Sequence, residues 1–186
     1  RAFPHDKLEG NTRVPARYLR KPFNLNSKKV RKATLYICGL GFYEAYINGK
    51  KIGDQVLAPT PTDYSKSVKY NRFDVTGQLL KGANAIGVIL GNGRYTSMRM
   101  PGVRHFDVPK MIAQLEVYYE DGEKRVIASD ASWKITAEGP IGTNNEFDGE
   151  EYDARKEMPG WNTYPFDDTK WLQAEVVSLP GGKLEA

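Results

Sequence analysis

The chain has 186 residues, 27% of them charged and 40% hydrophobic, with 27 Lys and Arg against 23 Asp and Glu for a formal net charge of +4. That length suits one domain able to bury roughly 70% of its unfolded surface, and no apolar run approaches the ~20 residues of a membrane-spanning helix. The densest basic cluster, Lys28, Lys29, Arg31 and Lys32, has no interleaved aromatics and reads as a solvated turn, which argues against nucleic acid as a partner.

With 18 glycines, 11 prolines and no sustained helical period, the predicted class is all-β: one antiparallel sandwich of roughly eight to ten strands. Residues 1–16 lack any period and are expected to form an amino-terminal arm or linker. Residues 18–25 (YLRKPFNL) read as a first strand at a sheet edge, because Pro22 donates no hydrogen bond to a ladder. Residues 33–57 (ATLYICGLGFYEAYINGKKIGDQVL) carry the central strands, with Tyr43, Ala45 and Ile47 on one face. Asn48-Gly49 supplies the positive φ of a tight hairpin, and Ile52 returns to the face of Ile47. Cys38, the lone cysteine, excludes an internal disulfide and reads as a small core residue.

Residues 68–73 read as a further strand, followed by a helical turn capped by Asp74 or Thr76 and stopped by Gly82. Residues 85–90 are apolar on both faces, as in a buried central strand. Residues 96–109, with Met98, Met100, Pro101, Gly102 and His105, read as a long loop. A second hairpin follows, from residues 111–119 through Asp121-Gly122 to residues 124–129, and then a strand at Trp133-Lys134-Ile135. Residues 139–149 are expected as a polar loop, residues 150–155 as an extended segment, and residues 174–178 as a last strand. The sandwich is therefore placed at residues 17–179, with residues 180–186, opening on Pro180-Gly181-Gly182, as a linker toward a further domain.

Carboxylates are present in pairs. Glu151 and Asp153 share one face of an extended segment, and Asp167 and Asp168 are adjacent, but Arg155 and Lys156 lie close enough to neutralise the first pair. No nucleophile elbow accompanies His5 or His105, and no His/Cys metal spacing exists, so no catalytic residue is assigned.

The segment GLGFYEAYINGKKIGDQVLAP, followed by Thr62-Asp63-Tyr64, Tyr70 and Asp74-Val75-Thr76, then LLKGANAIGVILGNGRY and FDGEEYDAR, resembles the amino-terminal β-sandwich domain of bacterial α-L-rhamnosidases. The resemblance covers nearly all of the chain and implies a jelly-roll, galactose-binding-domain-like sandwich. It implies a non-catalytic accessory module of a glycoside hydrolase. The catalytic acids would lie in a separate helical (α/α) barrel downstream, and the closing turn would pack Trp161 against Trp171. The implied partners are a rhamnose-containing carbohydrate and the catalytic domain of the same polypeptide, with neither nucleic acid nor membrane. The chain begins at Arg1, so the compartment is open, although a bacterial glycan-degrading enzyme points to the periplasm or secretion.

A sugar presents hydroxyls and a weakly apolar ring face, so its site combines amides and carboxylates with an aromatic side chain. Asn92, Arg94 and Tyr95 emerge at the end of a buried strand. Asn145 and Asp148, with Glu150 beside them, offer matching chemistry on a second loop. Residues 96–109 would form the wall if both loops open at the same end. The resemblance further implies a calcium ion touching sugar hydroxyls, for which Asn144, Asn145 and Asp148 are the candidate ligands, without calcium being required. The alternatives are that Asn92 and Asp148 hydrogen-bond only their own turns, or that the domain is purely structural, packing against the barrel without touching sugar.

Overall fold

The computed structural model describes Phe3, residues 14–96 and residues 107–186. His5, most of the expected arm, and Met98, Met100, Pro101, Gly102 and His105 of the expected long loop lie outside the described residues.

In chain order the strands are β1 (Arg17–Leu25), β2 (Val30–Leu40), β3 (Tyr43–Ile47), β4 (Lys50–Lys51), β5 (Ser67–Lys69), β6 (Asn71–Asp74) and β7 (Gly82–Leu90). There follow β8 (Lys110–Tyr119), β9 (Lys124–Ala128), β10 (Lys134–Thr136), β11 (Ile141–Asn145), β12 (Gly149–Tyr152), β13 (Leu172–Gln173) and β14 (Lys183–Glu185). A single helical turn, α1 (Gly93–Thr96), follows β7. Two sheets form the sandwich, one of six strands in the order β13-β10-β1-β7-β3-β4 and one of four in the order β6-β2-β8-β9. All their pairings are antiparallel. Among the described residues, no helix is long and apolar enough to cross a membrane.

Alternation along the strands decides what meets inside. From the six-stranded sheet, Leu19, Phe23, Tyr43, Ala45, Ile47, Ile86, Val88 and Leu90 face Ala33, Leu35, Ile37, Ala113, Leu115 and Val117 of the other, in one buried cluster. The period of two read in the sequence is the period seen. Asn48 and Gly49 have φ of 51° and 80°, as a tight hairpin requires. Asn48 also accepts from Ala85 N (2.9 Å) and donates to Gln78 O (2.9 Å) and the buried Asn84 Oδ1 (2.8 Å), which anchors the turn to its neighbours. The 3-10 turn Thr76–Gln78 has Val75, not Asp74 or Thr76, at its N-cap and no side-chain cap; Asp74 accepts from Thr76 N at 2.9 Å in the bend that leads into it.

Several expectations are corrected. The first strand is internal, lying between β10 and β7; β10 reaches only Tyr18–Arg20, and Pro22 sits beyond it, where no partner on that side needs its missing N–H. The single strand expected at residues 68–73 is two, β5 and β6, in different sheets, broken at Tyr70. The polar loop at residues 139–149 is mostly a hairpin, β11–β12, whose polar composition hides it from a hydrophobic pattern. No strand forms at residues 174–178; β13 precedes them, and β14, within residues 180–186, pairs in parallel with β5.

The outer face of the six-stranded sheet is covered by residues 153–171. Trp161 lies over Gly87, where an added Cβ would sit 2.8 Å from its ring. It stacks on Trp171 at 6.3 Å, as the resemblance implied, and meets Tyr18 and Tyr46 edge-on. Arg20, 1% exposed, fastens this cover: Nε donates to Trp161 O (2.8 Å), Nη2 to Thr163 O (2.9 Å) and Nη1 to Asp168, with Phe166 stacked on the guanidinium at 5.1 Å. Burying a charge of this kind is tolerable only because every side of it is answered.

Candidate functional site

Three chain segments converge at one end of the sandwich. Between β2 and β3 the chain crosses from one sheet to the other through Gly41 (φ +119°), and a Cβ there would fall 2.1 Å from Gly91 O. Gly91 N donates to Phe42 O at 2.7 Å, and a Cβ on Gly91 would lie 2.6 Å from Asn144 Oδ1. Glycine at these two positions is thus what lets the β2–β3 crossing, the end of β7 and the end of β11 approach backbone to backbone. The turn that carries Asn92, Arg94 and Tyr95 thus meets the stretch that carries Asn144, Asn145 and Asp148, through Asn92 and Asn144.

Asn92 joins them and is completely buried. Its Nδ2 donates to Val14 O (2.7 Å) and Asn144 O (2.8 Å), its Oδ1 accepts from Val14 N (3.4 Å), and its own N–H donates to Asn144 Oδ1 (2.7 Å). Tyr95 is also buried, 5.2 Å edge-on from the ring of Tyr64, and burial pushes its phenol up to about 12. Arg94 instead turns outward and pairs with Glu146, which is the mostly buried partner at 13% exposure against 47%.

The hairpin tip is the accessible part. Asn145 Oδ1 accepts from Phe147 N (2.7 Å) and Asp148 N (2.8 Å), while its Nδ2 donates to Asp148 Oδ2 (2.8 Å), which ties the turn into a compact knuckle. Phe147 is nonetheless 48% exposed, and Glu150, opposite Asn144 in the register, is exposed on β12. Of the candidates, the structure thus presents Arg94, Asn145, Asp148 and Glu150 at the surface and folds Asn92 and Tyr95 inward. Sequence reasoning missed Glu146 as the partner of Arg94, and Phe147 as the apolar side chain at the tip. An aromatic at the apex of a polar turn was the available signal.

A calcium ion takes about six to eight oxygens. Among the described residues no group of three or more His, Cys, Asp or Glu side chains is placed to hold a metal. Asn144 Oδ1 is engaged by Asn92 N, and Asn145 Oδ1 by two backbone N–H groups. Asn144, Asn145 and Asp148 as arranged do not fit a calcium cage, since they bring one carboxylate and two amide oxygens already bonded.

Three of the paired carboxylates, Asp153, Asp167 and Asp168, are engaged within the fold. Asp153 accepts from Arg155 Nε (2.8 Å) and Nη2 (2.9 Å), and that contact holds its carboxyl below the usual range. Asp167 caps the turn at Thr169, and Asp168 answers Arg20.

The family model for the alpha-L-rhamnosidase N-terminal domain matches residues 28–186. An alpha-L-rhamnosidase of Formosa agariphila is 42% identical over 163 residues, 84% of this chain and 17% of its own length. One from Streptomyces avermitilis is 44% identical over 159 residues, 84% of this chain and 15% of its length. The chain therefore spans less than a fifth of these relatives. Among solved structures, the alpha-L-rhamnosidase from Dictyoglumus thermophilum superposes with a TM-score of 0.84 at 50% identity, covering 91% of this chain and 18% of that one. The Streptomyces avermitilis enzyme, crystallised with L-rhamnose, superposes at 0.83 with 39% identity, covering 91% and 17%. With its sandwich, its converging loops and this match agreeing over nearly the whole length, the chain belongs to the family of alpha-L-rhamnosidase N-terminal domains.

Proposed function

We propose that this domain is a sugar-binding accessory module of an α-L-rhamnosidase. It holds a terminal L-rhamnose or a related sugar, while hydrolysis is carried by a catalytic barrel elsewhere on the same polypeptide. The observation that carries the reading is the hairpin tip, where exposed Phe147 stands beside Asn145, Asp148 and Glu150, with Arg94 held alongside through Glu146. An apolar ring with an amide, two carboxylates and a cation around it is a combination suited to a pyranose. Family membership supplies the sugar class, and a relative was crystallised with L-rhamnose.

A second reading, a domain that packs against the barrel and never touches sugar, is favoured by the burial of Asn92, whose amide is spent entirely inside the fold. Titration calorimetry of the 186-residue chain with L-rhamnose separates the two. Binding that weakens at least tenfold in Asp148→Ala supports the module, and absence of heat at millimolar sugar leaves the packing role. Because Asn145 Oδ1 would have to release two N–H groups to join a calcium site, the expected binding survives a chelator.

A further inference from the structure

The outer face of the four-stranded sheet carries a concavity of about 320 Å³, remote in sequence from the hairpin tip. Strand alternation produces it. Across one row of the sheet the outward side chains are Arg72 on β6, Tyr36 on β2, Gln114 on β8 and Ala128 on β9; the hollow lies on the side of Tyr36 away from Arg72, where the side chains shrink from Tyr36 to Ala128, with Cys38 on the next row. The parallel pair β5–β14 lies over part of the same face and adds Tyr70, at the end of β5, and Leu184 as the far wall.

No charged side chain lines the groove, in a chain that is 27% charged. The rings of Tyr36 and Tyr70 lie 6.2 Å apart at 56° and make one aromatic wall. Among the described residues neither hydroxyl has a hydrogen-bond partner, and Gln114 uses its Nε2 on Glu116 (2.9 Å) while its Oε1 takes no donor. An uncharged hollow with an aromatic wall, two phenols and one amide acceptor fits a neutral ligand with an apolar face and a few hydroxyls. Its volume is at the small end of ligand pockets, roughly 300–1,000 Å³, which suits one ring and a modest substituent.

We propose that this groove is a second binding site, for an uncharged glycoside bearing an apolar group. The apolar group lies against Tyr36 and Tyr70, and the sugar hydroxyls reach the phenols and Gln114. The inference rests on the sugar-binding reading above for the class of ligand, and differs from it in place.

The test is calorimetric titration of the full chain with 4-nitrophenyl α-L-rhamnopyranoside, comparing wild type with Ala128→Trp, which fills the hollow from an exposed strand position, and with Tyr36→Phe, Gln114→Ala and Asp148→Ala. Circular dichroism and urea unfolding check the fold of each variant, and Tyr36→Phe and Gln114→Ala carry the comparison if Ala128→Trp does not fold. The expected result is two sites on wild type. One remains in Ala128→Trp, a different one remains in Asp148→Ala, and binding at the groove is about tenfold weaker in Tyr36→Phe and in Gln114→Ala. A single site lost in Asp148→Ala but untouched by the groove variants overturns the groove and leaves the module standing. A single site lost only in the groove variants upholds the groove and removes the hairpin tip. No heat from wild type overturns both.

Discussion

Asn92 shows how one side chain changes meaning between sequence and structure. At the end of a buried strand, between two glycines, it has the chemistry of a ligand contact, yet its amide is the joint between Val14, the 91–93 turn and Asn144. Removing it strands buried donors and acceptors that water cannot reach, which costs more than the bonds themselves are worth. Asn92→Ala is expected to lower unfolding free energy by about 1–3 kcal/mol in urea titration. An unchanged midpoint would mean the three segments are held by their backbones alone. Asp148→Ala, by contrast, acts at the exposed hairpin tip, where Asn145 Nδ2 donates to its carboxylate, and its effect belongs to binding.

At the scale of elements, the cover formed by residues 153–171 is fastened chiefly by a cation beneath it. Its own regular structure is slight, one 3-10 turn at Ala154–Lys156, so its place is set by Arg20, by the Trp161–Trp171 stack and by two backbone bonds, Gly49 N to Asn162 O (3.1 Å) and Asp153 N to Pro140 O (2.9 Å). Arg20→Ala should leave the two sheets folded and release the cover. The measurement is hydrogen exchange: the amides of Trp161, Thr163 and Trp171, each bonded within its own turn, should exchange at least tenfold faster while those of β2 and β8 keep their protection. Equal loss everywhere would show that the cover and the sandwich unfold as one unit. The sequence announced the elements that carry period or turn chemistry. Alternation marked β3, the double-sided apolar run marked β7, and Asn48-Gly49 and Asp121-Gly122 marked two hairpins. It was silent where polar composition or long range decides. The β11–β12 hairpin has no apolar face, β14 finds its partner β5 more than a hundred residues away, and Arg20 is a cation whose three acceptors all lie far along the chain. The same divide separates the site residues. Loops 91–96 and 144–148 were legible as neighbours of strand ends, but which side chains turn outward was fixed by the close backbone approach at Gly41 and Gly91.

For the whole molecule, the surface carboxylates set the response to acid. Glu116 is held below its usual value of 4.5 by Lys124, Asp74 below 3.8 by Thr76, and Asp130 below 3.8 by Ser132. For Glu44, burial pulls upward, but hydrogen bonds from Lys51 and Tyr46 prevail and its carboxyl also lies low. These groups bind protons more readily in the unfolded chain. Their stabilisation is therefore present above pH about 4.5 and is lost as the pH falls through the folded values. The urea midpoint should hold between pH 7 and 5 and drop by pH 3. A midpoint constant to pH 3 would show these contacts contribute nothing to folding.

The parallel pairing of β14 with β5 also has a mechanical side. Tyr70 N donates to Glu185 O (2.8 Å), Lys183 N to Lys66 O (2.9 Å) and Ser67 Oγ to the Glu185 carboxylate (2.8 Å), with Lys69 beside it. A pull along β14 loads these bonds together, in shear, whereas a pull across it would open them one after another. Residues 183–185 thus behave as a stiff handle: tension or torque applied along that strand is delivered to the 63–70 segment and the wall of the groove, with no swivel in between to absorb it.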